Sequence, residues 1–570
     1  MNRSCVLTFS PGWRFLPALA VVLWLALPQA ARPVEHLTHP QPGGMPGLPV
    51  MEGIVPQTNG LRLTWDGPSG YYQVYQKSNL LTAPWVALGK ATNLVRTTVV
   101  PALHSNAFFR VAGPAPKYAG AQVCVSCHLN ICRYETNTPH AGAFSDPAFK
   151  AAGGQTNSSC LPCHTVGYGL PTGFAFTSKN GFFFYSTNLA GVQCESCHGP
   201  AANHAATPDD PTVVPRVELA ATVCGGCHTG SMQPTYEEWN TSGHAAVVPD
   251  ALSVMSASTN NLGSCGRCHS GSVRLALLNG QNLLALTNDL DVAITCIVCH
   301  DPHQTNANPV QLRNPLASTN YFTLATTDNF TNKYLANTNI NLCGQCHNSR
   351  GAAWTDTARA PHPSPQYNFL LGSIGELLTG SATFNPGSHA GLPSSARNSI
   401  SGTFYLTNQC ADCHLQDNSS GIAGHTFTIT SDAVCLNCHA TDPALLEQYY
   451  LTPAISNDVV TLLTALNRWS ALKAPPALIT NGVVAWEYTT PGGLTWQTNA
   501  SGVVTGWALG PPVSFSGPDA AGQALIPDTV KRARFNLYLV LNDGSSGVHN
   551  PALALDLLNA AEIWMVQALQ

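Results

Sequence analysis

The chain has 570 residues, a formal net charge of −5 and only 10% charged side chains, against roughly 25% in an average soluble domain. That length exceeds what one core usually holds, and the slight acidic excess excludes a basic face for nucleic acid. With 48 Gly and 42 Pro the chain reads as loop-rich, and its chemistry must lie in its 20 Cys and 20 His.

Residues 1–31 come first. Arg3 and Arg14 flank the start of an apolar run, Phe15 to Leu27, which exits through Pro-Gln-Ala-Ala. The run is shorter than a membrane span and has the layout of a secretory signal. Export is therefore expected, to the periplasm, the cell surface or the exterior, with no transmembrane span later in the chain. Cys5 lies before the apolar run and would leave with it.

From 53 to 113 short alternating runs appear, "LRLTW", "YYQVYQ" and "FFRV", separated by turn residues. Their period of two predicts half-buried strands in a small β-sandwich-like module.

From 117 to 445 one pattern, C-x-x-C-H, dominates. It recurs at Cys124, Cys127 and His128; Cys160, Cys163 and His164; Cys194, Cys197 and His198; Cys224, Cys227 and His228; Cys265, Cys268 and His269; Cys296, Cys299 and His300; Cys343, Cys346 and His347; Cys410, Cys413 and His414; and Cys435, Cys438 and His439. Chance would supply about 0.02 copies at this composition, not nine. Two thiols followed at once by histidine form the attachment signature of haem c: the thiols become thioethers and the histidine takes one axial position on iron. Neither a paired-cysteine zinc site nor a disulfide framework needs that histidine. Nine covalent haems at about 35 residues each leave too little chain for private pockets, so the macrocycles are expected to bury one another's faces. The predicted fold is mostly helix and loop, with little regular sheet around the haems.

Eleven histidines lie outside the motifs. His36 and His39 sit next to the leader and His104 in the strand module. The other eight, His140, His204, His244, His303, His362, His389, His425 and His549, mostly have Gly, Ala or Pro as neighbours. Small neighbours let backbone approach a flat ring, and these eight are the expected distal iron ligands. His303 cannot pass round the porphyrin that His300 holds, so it is expected to serve a different haem, with Pro302 stiffening the link. One iron is left over: His36, His39, His104, Met232 or Met255 fills it, or it stays open. Cys132 is also left over, as a buried thiol or a ligand or crosslink near the first haem.

From 446 to 570 the period becomes helical. Val459, Leu462, Leu463 and Leu466 share one face. Residues 482–512 read as strand or loop. Two further helices are expected to open at Pro527 and Pro551, the last with Asn550 as N-cap and His549 just before it.

The stretches "YAGAQVCVSCH", "TPHAGAF", "CLPCHTVGYGLPTGF", "GVQCESCHGPAANHAA" and "YEEWNTSGHAA" resemble the tetrahaem cytochrome c-554 family over about Lys117 to Val247. The resemblance implies that His140, His204 and His244 are axial ligands, and that family includes one haem without a distal protein ligand. "CHDPH", "APHPSPQ" and "GHTF" are similar to extended multihaem cytochromes with doubled motifs. "RARFNLYLVLNDGSSGVHNPALALDLLNAA" resembles the closing helices of large multihaem cytochromes, which implies a ligand role for His549. The catalytic C-x-x-C-K of the nitrite reductases does not occur. Residues 53–113 resemble a fibronectin type III module.

The expected function is electron transfer between redox partner proteins along closely packed, mostly bis-histidine haems, with no catalytic side chain. Two alternatives stand beside it. One is a reductase or oxidase of a small nitrogen or sulfur compound at an open iron. The other is self-association into an extracellular filament, with His36 or His39 lent to a neighbour. Haem propionates would add negative charge and steer Lys- or Arg-rich partners.

Overall fold

The computed structural model describes residues 50–57, 60–66, 72–78, 84–91, 97–100, 107–113, 117–211, 213–215, 217, 219–283, 290, 292–304, 308–313, 317–318, 340–379, 389, 409–418, 421–429, 431–437, 450–479, 482–490, 494–509 and 516–570. The leader, Cys5, His36, His39, His104, Cys438 and His439 lie outside them. The chain divides into two compact units, residues 1–313 with 419–426, and residues 314–418 with 427–570. The fold is helical and loop-rich, with a few small sheets.

The first unit opens with six strands: β1 Val50–Gln57, β2 Gly60–Asp66, β3 Tyr72–Lys77, β4 Val86–Ala91, β5 Thr97–Val100 and β6 Phe108–Ala112. They form two antiparallel sheets, ordered β1-β2-β5 and β4-β3-β6. Alternation sets their faces: in β3, Tyr72, Val74 and Gln76 are buried and the residues between them are half-exposed. Met51, Leu63, Trp65, Tyr72, Val74, Val100, Phe109 and Val111, drawn from both sheets, make one core.

From 117 onward this unit changes character. The helix Ala121–Glu135 carries the first motif and is interrupted at His128. Short helices follow, including Pro139–Gly142, Cys194–His198, Ala202–Ala206 and Thr235–Thr241. Pro249–Ala257, Thr259–His269 and Gly271–Leu278 come next, and the Ser258 and Ser270 side chains cap the last two. Apolar packing is confined to patches, one around Phe144, Leu161, Val166, Phe174 and Leu189 and another around Met255, Leu262 and Val273. A hairpin, Phe176–Lys179 with Phe182–Tyr185, turns at Asn180 and Gly181, both at positive φ, as a two-residue turn requires.

The second unit ends in three helices, Thr452–Leu472, Asp528–Asp543 and Pro551–Leu569, with an antiparallel hairpin, Leu494–Thr498 and Val504–Leu509, in the stretch where the sequence leaves strand or loop open. Ile455, Val459, Leu462, Leu463, Leu466 and Trp469 form the buried face of the first helix. They join Leu537, Val540, Leu541, Leu557, Leu558 and Trp564 in one continuous core. The fully buried Arg534 donates through Nη1 to the carbonyls of Trp486 (2.7 Å) and Glu487 (2.8 Å) and through Nη2 to Gln523 Oε1 (2.8 Å). Asn550 Oδ1 caps the last helix by accepting from Leu553 N at 3.2 Å. That helix is long and apolar enough to cross a membrane, with a mean hydropathy of 1.3, although no segment of that length was expected after the leader. Its Leu553, Ala554, Leu557, Leu558, Ala561 and Met565 are buried against protein.

Candidate functional site

Local sequence places each motif. Glu195, inside the third motif, is buried, and its carboxylate accepts from the backbone N–H groups of Ala119 (3.0 Å), Gly120 (2.7 Å) and Ala201 (2.7 Å). Gln193 Oε1 accepts from Ala121 N at 2.8 Å. The two side chains clasp the start of the helix that carries the first motif. Burial raises the Glu195 pKa while these N–H groups oppose the shift. Gly120 is required at this junction: its φ is +85°, and a Cβ there would come within 2.6 Å of Asn188 O. In the fourth motif, Tyr236 N donates to His228 O at 3.0 Å, and in the seventh Tyr367 N donates to His347 O at 3.1 Å.

The histidines meet in pairs. Ring centres lie 6.4 Å apart for His128 and His204, 6.0 Å for His140 and His228, 6.1 Å for His198 and His303, 6.3 Å for His300 and His425, and 6.2 Å for His414 and His549. Each pair joins one motif histidine to one of the eight outside the motifs. A metal–imidazole bond is about 2.0–2.1 Å long and the ring nitrogen sits about 1.1 Å from its centre. Two imidazoles binding one ion from opposite sides therefore have centres about 6.3 Å apart. The donor set fits haem iron on a second count. Each pair supplies two imidazole nitrogens and leaves the remaining positions on the ion to a macrocycle.

His300 and His303 face different partners, His425 and His198. The short link between them is a closed turn: Asp301 is buried, and its Oδ1 accepts from His303 N at 3.1 Å. Second nitrogens are held as well. His300 Nδ1 is 2.8 Å from Val310 O, His414 Nδ1 3.1 Å from Phe427 O, His425 Nδ1 2.9 Å from Ala423 O, and His549 Nδ1 2.7 Å from Asp543 Oδ1. Burial lowers the pKa of His140, His228, His300, His303 and His414, favouring the neutral imidazole that offers a lone pair to a metal.

The other candidates are placed as follows. His164 Nδ1 donates to Ala143 O (2.9 Å), and its ring stacks on Phe149 at 3.9 Å. His244 lies on the turn Gly243–Ala245, and its carbonyl accepts from Ile294 N at 3.1 Å. His269 ends the helix Thr259–His269. His362 Nδ1 is 2.8 Å from Ser364 Oγ, and His389 Nδ1 2.8 Å from Val548 O. Met255 is buried in its apolar patch and Met232 is exposed.

Three contacts join different motifs: Cys124 with Cys194, Cys224 with Cys296, and Cys343 with Cys410, each pair hydrogen-bonded through sulfur. Cys132 is buried and also hydrogen-bonds Cys194; burial raises its pKa.

Residues 123–199 match the family model for cytochrome c554 and c-prime, and residues 183–270 that for cytochrome c7 and related cytochrome c. The C-type polyheme cytochrome OmcB of Geobacter sulfurreducens is 24% identical over 316 residues, 48% of this chain and 38% of the relative. Cytochrome c-554 of Nitrosomonas europaea is 31% identical over 106 residues, 16% of this chain and 42% of that one. The chain thus spans less than half the length of these curated relatives. An undecaheme cytochrome from the S-layer of Carboxydothermus ferrireducens aligns over 80% of this chain and 70% of its own, at a TM-score of 0.49 and 19% identity.

Proposed function

We propose, on the premise that this chain is a multihaem c-type cytochrome, that it is an exported nonahaem electron carrier whose irons are mostly held by two histidines each. The observation that carries the reading is the set of five imidazole pairs spaced by the width of one coordinated iron. In this assignment His128 is paired with His204, His228 with His140, His198 with His303, His300 with His425, and His414 with His549. His244, His362 and His389 serve three of the four remaining motifs. The haem itself supplies a one-electron iron couple; the chain sets ligation, spacing and exposure. The three sulfur contacts support close packing of motif 1 with 3, 4 with 6, and 7 with 8, since thioethers on neighbouring sulfurs bring two porphyrin edges together. The leader-like first 31 residues support export. The two-sheet module fits a fibronectin III-like role in attachment or spacing.

A chemical haem count with low-temperature paramagnetic resonance tests this. Nine haems per chain and predominantly low-spin iron are expected. The ring planes add detail: the His198/His303 planes are 2° apart and those of His140/His228 69° apart. Near-parallel ligands give a well-resolved rhombic signal, and near-perpendicular ligands a strongly anisotropic one, so both should be seen. Colourless or zinc-bound protein would end this reading.

One observation favours a second reading, a reductase or oxidase of a small nitrogen or sulfur compound. Nine motifs outnumber the eight distal candidates by one, which leaves one iron without an assigned second histidine. A high-spin signal that disappears on adding nitrite or sulfite would mark an open iron; wholly low-spin iron would exclude it.

A further inference from the structure

The nitrogen of a ligand histidine that does not touch metal governs how much electron density the other nitrogen offers. Two imidazole pairs allow a direct comparison. In His300/His425 both Nδ1 atoms meet backbone carbonyls, Val310 O at 2.8 Å and Ala423 O at 2.9 Å. In His414/His549 one Nδ1 meets the carbonyl of Phe427 at 3.1 Å, but His549 Nδ1 meets the carboxylate of Asp543 at 2.7 Å.

That carboxylate is expensively placed. The Asp543 side chain is 0% exposed, and the residue is the last of the helix Asp528–Asp543, where unsatisfied carbonyls already concentrate negative charge. A buried carboxylate needs hydrogen-bond donors in place of water. Its compensation comes from two donors: the Ser545 hydroxyl on Oδ2 and the His549 ring on Oδ1. Ser545 Oγ in turn accepts from His549 N at 3.1 Å, so the turn is built around the ring that faces His414.

We propose that Asp543 sets the potential of the haem on the eighth motif: by accepting the Nδ1 hydrogen bond of His549 it strengthens that imidazole as a donor and holds the haem more readily oxidised than a backbone carbonyl would. The inference rests on the reading of His549 as the ligand opposite His414. The couple is one electron on one iron, supplied by a redox partner protein. A richer axial donor and a nearby negative charge both favour the oxidised, more positive iron.

The test is redox titration of the haem-loaded full chain, comparing wild type with Asp543→Asn. One haem of the variant should show about a tenfold higher ratio of reduced to oxidised iron at fixed ambient potential, about 59 mV upward for a one-electron couple, with low-spin intensity unchanged. A titration superimposable on wild type overturns the proposal. His549→Ala separates it from the underlying assignment: loss of one low-spin iron is expected, and an unchanged low-spin count overturns the ligand assignment and the proposal with it. If the Asn variant does not accumulate with its haems, Ser545→Ala carries the test. It removes a donor from Oδ2 and concentrates charge on the carboxylate, so the ratio for the same haem should fall; no change or a rise overturns the proposal.

Discussion

The stretch from 117 to 313 and the helices from 452 to 569 solve the same problem, how to hold a chain together, in opposite ways. The helices bury a continuous set of aliphatic and aromatic side chains and hold no haem motif. The motif-bearing stretch has only small apolar patches, and most of its motif cysteines and histidines are half-buried. A core made of side chains is complete without help. A region with little apolar packing of its own, whose histidines pair at the span of one coordinated ion, is the one expected to depend on haem for its stability.

Withholding haem during production is the harshest way to break that comparison. The expected outcome of limited proteolysis is rapid cutting between 117 and 313 and survival of 452–569, read by mass spectrometry of the fragments; equal digestion of both regions would break it. Next in size is Leu463→Ala. Leu463 is fully buried in the helical core, and loss of its side chain should cost about 2–5 kcal/mol. Far-ultraviolet circular dichroism in denaturant measures this, and a cost under about 1 kcal/mol would show that the helices lean on the haems after all.

A pH experiment sharpens the same point. Glu487 lies in the helical core, accepts from Tyr538 at 2.6 Å, and is pushed by burial from 4.5 up to about 7. Between those values the unfolded chain ionises while the folded chain keeps its proton, so stability falls as pH climbs from 4.5 towards 7 and then levels. The full span is about 3 kcal/mol. Glu487→Gln keeps the shape and should flatten the slope in denaturant midpoints measured across that range; a wild-type midpoint that rises with pH would contradict it. The smallest effect belongs to Asn550→Ala, which removes the cap on the last helix and should cost about 1 kcal/mol by the same melts. No measurable cost would mean that tertiary packing alone holds the helix start.

Repeats and periods were legible in the chain before any coordinates. The C-x-x-C-H spacing, the alternation of Tyr72, Val74 and Gln76, and the helical period of Val459, Leu462, Leu463 and Leu466 are local patterns, and local patterns are written in sequence order. That His303 looks away from His300 was also readable, because three residues cannot round a porphyrin. Which histidine faces which was not, since His414 meets His549 and His128 meets His204 only through the path of the chain in space. Glu195 and Asp543 were missed for a related reason. A lone acid beside a motif or after a helix looks like a solvated surface residue until its burial and its donors are seen.

The imidazole pairs have a further consequence for the timetable of biosynthesis. A chain that crosses a membrane from its N-terminus delivers His140 before His228, so the fourth motif finds its partner already present. The other four pairs run the other way. His128, His198, His300 and His414 emerge first and wait for His204, His303, His425 and His549. In the proposed ligand assignment the last of these waits until His549 is delivered, so a chain stalled before that residue would carry its eighth motif without a second axial ligand.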